Sequence, residues 1–258
     1  MRISRAEHSR RHFVSRILAA TGAALLAGCD AASHSAWLPK VLAVGERASR
    51  GAQRLVSGRR ALAQEFTVAD LSPQFRSNGT ANPDNPEYQA LATNDFAEWR
   101  LQIDGLVERP LKLSLQELRA MSRRTQITRH DCVEGWSAIG QWTGVPLATV
   151  LSMAVPRPEA RYVVFHCADP MDADGTRYYE SVDFEDAYHP QTLLAYELNG
   201  AVLPIANGAP LRVRIERQLG YKMAKYIMRI ELVASFAKIG AGNGGYWEDQ
   251  GYEWYAGI

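Results

Sequence analysis

Three cysteines in 258 residues are too few for a disulfide framework. No C-x-x-C is present and the one H-x-x-x-H, His8 to His12, has no cysteine pair beside it, which argues against a zinc site, and the C-x-x-C-H motif of covalent haem attachment is missing. Long apolar runs are equally scarce. The stretch from Ile17 to Ala27 is softened by glycine and alanine and is too short to span a bilayer. Internal repeats and low-complexity tracts are absent, so the chain does not read as a solenoid or a fibre. An excess of charge of one sign is lacking too, because the formal net charge is +1, yet the distribution is uneven: residues 1–60 hold 11 Lys/Arg against 3 Asp/Glu, and the remainder 18 against 25. A basic arm can indicate nucleic acid, but part of this charge belongs to a targeting segment, so no nucleic-acid partner is expected.

The basic arm explains itself otherwise. Arg10-Arg11 followed by Phe13 and then by the apolar stretch forms a twin-arginine signal pattern, which makes residues 1–28 a leader removed on export. Leu26-Ala27-Gly28-Cys29 has the form of a lipobox, with Cys29 as the acylated first residue of the mature chain; the plainer alternative is a secretory signal ending in a chance cysteine. The expected location is periplasmic, with an inner-membrane lipid anchor if Cys29 is acylated. Because the twin-arginine route carries folded proteins, it also hints at a cofactor inserted before export. Residues 29–65 read as a basic tether. There Lys40, Arg47, Arg50, Arg54, Arg59 and Arg60 alternate with Val41, Leu42, Val44, Leu55, Val56 and Leu62, in the manner of a weakly amphipathic helix near anionic lipid or a solvated linker.

Residues 66–258 are expected to form one domain. Residues 99–107 alternate like a strand, with Asp104-Gly105 as turn chemistry, and Ser114-Leu-Gln-Glu117 is a capping box opening a short helix. Further strands are predicted at 126–129, 161–167, 177–182, 193–197, 211–216 and 226–232. A helix is expected over 146–153, with proline in its first turn, and a tight hairpin turn at Asn199-Gly200. Strands outnumber helices and do not alternate regularly with them, so the class is α+β, a strand-rich mixed domain.

Cys132 lies in the stretch His130-Asp-Cys-Val-Glu-Gly-Trp136 at the end of a predicted strand. Three readings are open. As a nucleophile it would need a base, and His130, His166 and His189 are available, although no cysteine-hydrolase signature surrounds it. As a half-cystine it would pair with Cys167, the other cysteine of the body. As a ligand it would bind a metal that the chain alone does not complete.

The third reading gains weight from Phe75-Arg-Ser-Asn-Gly79, Cys132-Val-Glu-Gly-Trp136 and the block from His189 to Tyr226. Together these resemble the catalytic domain of the sulfite oxidase superfamily of molybdopterin enzymes, and within it the bacterial periplasmic methionine sulfoxide reductase catalytic subunits, over about residues 66–236. The resemblance implies a strand-rich molybdopterin-binding fold and a molybdenum held by one pyranopterin, with Cys132 as its single protein thiolate and Glu134 close by. Soft anionic sulfur suits such a metal. The positions matching the family's pterin contacts are Asn78, Asn207, Arg212, Met223, Ala224 and Lys225. Arg76 and Lys222 are companions, and Cys167 stands where relatives carry threonine.

The implied reaction is two-electron oxygen-atom transfer. Sulfite-oxidising members carry an arginine pair after the cysteine, whereas Val133-Glu-Gly-Trp-Ser-Ala-Ile-Gly140 places an acid there. Reduction of a small neutral S-oxide or N-oxide is therefore expected; a sulfite-type dehydrogenase and a cofactor-free lipoprotein scaffold are the alternatives. Without a haem motif of its own, the chain is expected to take electrons from a membrane cytochrome or quinol-linked subunit, with a monomeric core. The tail Gly244 to Ile258, rich in Trp and Tyr, is expected to pack on the core; capping the pocket or meeting a redox partner are its other uses.

Overall fold

The structure, a computed structural model, describes residues 35, 37–58 and 61–258. The twin-arginine leader and Cys29 lie outside the described residues. The chain divides into two units, residues 1–56 and 57–258. Almost all that is described of the first is helix α1 (Leu38–Ser57), in which Val41, Leu42, Leu55 and Val56 are exposed. The helix ends within the 29–65 segment, with Gly58 in the left-handed conformation that ends helices. Among the described residues, no helix is long and apolar enough to cross a membrane.

The second unit is built on two sheets of five strands each. In the first, β1 (Arg100–Gly105) lies between β2 (Leu111–Ser114) and β10 (Ile227–Val233), followed by β5 (Tyr162–Pro170) and β6 (Arg177–Asp183). The β1–β10 pair is parallel and the other pairs of this sheet are antiparallel. In the second, β3 (Arg124–Cys132), β4 (Trp136–Pro146), β7 (Leu193–Leu198) and β8 (Ala201–Val202) follow in order, with β9 (Arg212–Arg214) also paired to β7. One buried cluster unites them: Leu101, Val164 and Ile230 come from the first sheet, Val145, Leu194 and Val213 from the second. Helix α4 (Leu147–Ala154) adds Leu147, Val150 and Leu151 to it.

Local chemistry sets most element ends. Ser114 and Glu117 close the expected capping box, the serine oxygen accepting from the Glu117 amide at 3.2 Å and the glutamate from the Ser114 amide at 2.7 Å, and open α3 (Leu115–Ala120). Asn85 caps α2 (Pro86–Thr93), a helix that sequence periodicity does not reveal, by accepting from the Tyr88 amide. Asn199 and Gly200 both take positive φ, as a tight β7–β8 turn requires. Asp104, expected in a turn, instead completes β1, and its carboxylate binds Arg229 across the parallel pair. The strand predicted over 211–216 shortens to β9, because its pairing with β7 ends at Arg214 and the chain then turns from Ile215 to Gln218.

Gly144 marks a shift of register between β4 and β7. A Cβ there would stand 2.2 Å from the Leu194 carbonyl oxygen and 2.7 Å from the Ala195 Cα, with backbone on both counts. Gly144→Ala is expected to destabilise the domain by about 1–3 kcal/mol. Thermal unfolding checks this; an unchanged midpoint would show that the strands separate freely at this point.

Candidate active site

Strand β3 delivers the central residue. Its alternation buries Gln126, Thr128, His130 and Cys132 on one face. Cys132 pairs with Trp136 across a three-residue loop, and Gly135 supplies the left-handed position that such a hairpin needs. The Cys-Val-Glu-Gly-Trp motif is thus a hairpin tip with its cysteine turned inward and Val133 and Glu134 exposed. The Glu134 carboxylate accepts a hydrogen bond from Trp136 Nε1 at 2.9 Å. Burial pushes the Cys132 thiol up from its ordinary value; nearby amides and Arg76 pull the other way, and Glu134 adds to the rise.

The cysteine opens on a cavity of about 210 Å³. Asn78, Gly79 and Thr80 line it from the segment before α2, and Asp169 and Met171 from the end of β5. Gly220, Met223 and Lys225 come from the loop before β10. Lys225 Nζ donates to the carbonyls of Asn78, Thr80 and Ala206, and burial, then Arg212, draws its pKa down to about 7. Burial raises Asp169 to about 6.

Behind Met223 lies a second layer. Arg212, fully buried, donates to the carbonyls of Asn207 at 2.9 Å and Met223 at 3.4 Å, and its guanidinium stands over the Trp142 ring. Burial, then the neighbouring Arg214, lowers its pKa to about 9. Arg214 forms two hydrogen bonds to Glu216 and donates to His130 Nδ1 at 2.9 Å. The same arrangement, with burial first, holds His130 well below the usual imidazole range. His130 therefore stays neutral, accepting at Nδ1 and carrying its proton on Nε2. It is committed to Arg214 rather than poised to activate Cys132.

Several of these polar groups await a partner. Asn78 Oδ1, Asn207 Nδ2, Arg212 Nε, His130 Nε2 and Asp169 Oδ1 are buried without a hydrogen bond among the described residues. Arg212 and Lys225 bind backbone carbonyls and form no ion pair among the described residues. Burying polar atoms unpaired is costly, as is burying cations without anions. The site is therefore suited to an anionic, hydrogen-bonding group beside a thiol.

Other expected residues stand elsewhere. Lys222 does not line the cavity; its ammonium is enclosed by the carboxylates of Glu180 and Glu248, and all three side chains are buried. Ala224 belongs to the hydrophobic core, with its carbonyl bound to the Val213 amide. Cys167 lies within β5 and borders a different hollow, its thiol raised well above the ordinary range by burial. Cys132 and Cys167 are both free thiols, so the disulfide reading does not hold in this structure. Among the described residues, no three His, Cys, Asp or Glu side chains gather as a metal cluster. Arg76 is exposed, 5.4 Å above the Trp136 ring.

Sequence reading missed Asp169, because an acid before proline reads as turn chemistry. The aromatic tail packs on the core as expected, through Tyr246 and Trp247, and Trp247 and Tyr252 also line this cavity.

The model of the oxidoreductase molybdopterin binding domain matches residues 88–238. The chain belongs to this family. Molybdopterin-binding oxidoreductases of this kind are enzymes, and the cofactor of this one is molybdenum–molybdopterin, which the unpaired polar atoms and buried cations around Cys132 fit. A protein of Azospira oryzae with the provisional name protein-methionine-sulfoxide reductase subunit YedZ1 is 36% identical over 249 residues, covering 96% of this chain and 88% of its own. The protein-methionine-sulfoxide reductase catalytic subunit MsrP of Xanthomonas campestris pv. campestris is 35% identical over 235 residues, covering 86% of this chain and 70% of its own. The solved structure of the sulfane dehydrogenase SoxCD from Paracoccus pantotrophus aligns with a TM-score of 0.48 and 24% identity, covering 54% of this chain and 39% of its own.

Proposed function

We propose that this enzyme reduces a neutral S-oxide or N-oxide by two-electron oxygen-atom transfer, with Cys132 as the single protein ligand of the molybdenum. The observation that carries this reading is a buried thiol on a cavity lined also by the buried Lys225 and the unpaired amide oxygen of Asn78, with Arg212 and Asn207 in the layer behind. The names of the relatives support the S-oxide in particular.

When bound, the molybdenum–pterin group supplies two-electron oxygen-atom exchange. The chain supplies position, charge and protons. Arg212 and Lys225 would balance the negative charge of the cofactor, and Asn78 and Asn207 would offer amide groups to its polar edges. Gly220 and Met223 would bring backbone close, and Arg76, above the Trp136 ring, adds positive potential near Cys132. Glu134, held by Trp136, orders water at the hairpin tip and repels a dianion such as sulfite. Reducing one sulfoxide to a thioether and water consumes two electrons and two protons. Asp169 is a wall residue able to hold one of those protons at its unpaired Oδ1.

The remaining parts of the reading concern the cell. The leader directs folded, cofactor-loaded protein to the periplasm, acylation of Cys29 tethers it to the inner membrane through the basic segment 29–65, and a membrane cytochrome or quinol-linked subunit supplies electrons. The core works as a monomer.

Purified holoenzyme should contain about one molybdenum and one pterin per chain. It should oxidise a reduced viologen dye in the presence of dimethyl sulfoxide, methionine sulfoxide or trimethylamine N-oxide, and should leave sulfite untouched in a cytochrome-reduction assay. Metal-loaded enzyme that consumes sulfite and ignores every oxide would overturn the reading.

A further inference from the structure

The C-terminal segment is held by contacts on both sides of its cavity-facing pair. Trp247 lies in the short helix α6 (Tyr246–Asp249), and Tyr252 follows it in a turn whose amide donates to the Trp247 carbonyl at 2.9 Å. On one side, Glu248 reaches into the buried Lys222 cage at 2.5 Å. Gly245 permits this approach, since a Cβ there would meet a Glu248 carboxylate oxygen at 2.0 Å. On the other side, Trp254 Nε1 donates to Ser181 Oγ, the Leu219 amide to the Ala256 carbonyl, and the Ile258 amide to the Arg217 carbonyl.

These anchors hold a continuous aromatic surface. The Trp247 and Tyr252 rings are 5.3 Å apart and tilted by 30°. Tyr252 meets Tyr221 edge to face at 5.3 Å, and Tyr221 is fixed by donating to the Glu253 carbonyl. Met171 lines the same cavity. Tyr252 is 42% exposed and Trp247 half-buried, so this wall reaches the cavity mouth. The cavity is thus two-sided: charged and amide groups gather around Cys132, Asn78 and Lys225, while the tail contributes aromatic surface without a charged side chain.

We infer that Trp247 and Tyr252 form a substrate-selecting wall that receives the apolar substituent of an S-oxide while its oxygen faces the polar floor. The inference rests on the sulfoxide-reductase reading and adds to it the favoured class of substrate: sulfoxides bearing an aryl or thioether side chain rather than two methyl groups. Rings and sulfur groups both pack favourably on aromatic faces. A wall held by its own anchors loses little freedom when it does so.

Methyl phenyl sulfone is the probe, because it has the shape of the aryl sulfoxide, and dimethyl sulfone is the small comparator. Calorimetric titration of wild-type, Trp247→Ala and Trp247→Phe holoenzyme gives the dissociation constants independently of turnover. Trp247→Ala should weaken methyl phenyl sulfone about tenfold and dimethyl sulfone by no more than about twofold. Trp247→Phe should restore most of the lost affinity, which separates the wall's role from a folding defect. In turnover, KM for methyl phenyl sulfoxide should rise with the sulfone dissociation constant while kcat stays within about twofold.

Equal affinities in wild type and Trp247→Ala, equal weakening of both sulfones, or no binding of methyl phenyl sulfone to wild type would overturn the inference. Sulfones that bind as expected to a metal-loaded enzyme that reduces no sulfoxide would instead leave the aromatic wall standing and remove the sulfoxide reaction.

Discussion

Cys132→Ala lowers sulfoxide-dependent kcat by about 1000-fold or more, equivalent to roughly 4 kcal/mol of lost transition-state stabilisation. The reasoning is local. Cys132 ends β3, its side chain turns inward, and it opens on the cavity that Asn78 and Lys225 also line. Removing its sulfur changes the charge and softness of the ligand set at the proposed metal. The groups proposed to hold the pterin lie on other segments, Asn78 before α2, Asn207 and Arg212 before and in β9, and Lys225 before β10. Pterin content of the variant should therefore remain near that of wild type, while the molybdenum electron paramagnetic resonance signal shifts. Activity within tenfold of wild type, with an unshifted signal, would remove Cys132 from the metal.

The second large effect is on stability. Lys222→Met is expected to destabilise the domain by about 3–5 kcal/mol at neutral pH, a fall in Tm of roughly 10 °C for a chain of this size. Glu180 and Glu248 would be left buried without a cation, and one oxygen of each already lacks a partner among the described residues. Even with the lysine present, burial holds Glu180 well above the usual carboxylate range.

The pH dependence follows from that direction. In the variant, the folded state takes up protons that the unfolded state does not bind above ordinary carboxylate pKa values. Lower pH therefore favours folding, and the deficit shrinks from pH 8 towards pH 5.5. Adding Glu248→Gln should recover part of the loss by removing one of the two buried charges. A variant that melts within about 2 °C of wild type at pH 8 would contradict the assignment of Lys222 as the cation this cage requires. Since Glu248 anchors Trp247, the same variant should also weaken binding of methyl phenyl sulfone.

Much of the local architecture was legible because its causes are local. The Ser114–Glu117 box and the Asn199-Gly200 turn depend on groups only a few residues apart. Strand β3 was legible only over 126–129, and its extension through Cys132 places His130 and Cys132 on one buried face. Helix α2 was less visible, since its eight residues bury chiefly Tyr88 and carry little periodicity. Cofactor residues were legible only as a pattern matching a family. One arginine or lysine in a sequence has no means of declaring whether it meets a phosphate or a glutamate.

Lys222 and Lys225 show that limit within four residues. The loop before β10 turns one ammonium into the Glu180–Glu248 cage and the other towards carbonyls at the cavity. Those carboxylates lie 42 and 26 residues from Lys222 along the chain, so its role appears only after the sheets and the tail have assembled. The sequence by itself determined the strand-rich class, the place of Cys132 at the end of a strand and the family to which the motifs belong. Tertiary structure alone decided that Arg212 would be buried against backbone carbonyls, that Asp169 would reach the cavity, and that the aromatic tail would line it. The physical reason is that a charge or a ring takes its role from what surrounds it in space, and those neighbours come from segments that only folding brings together.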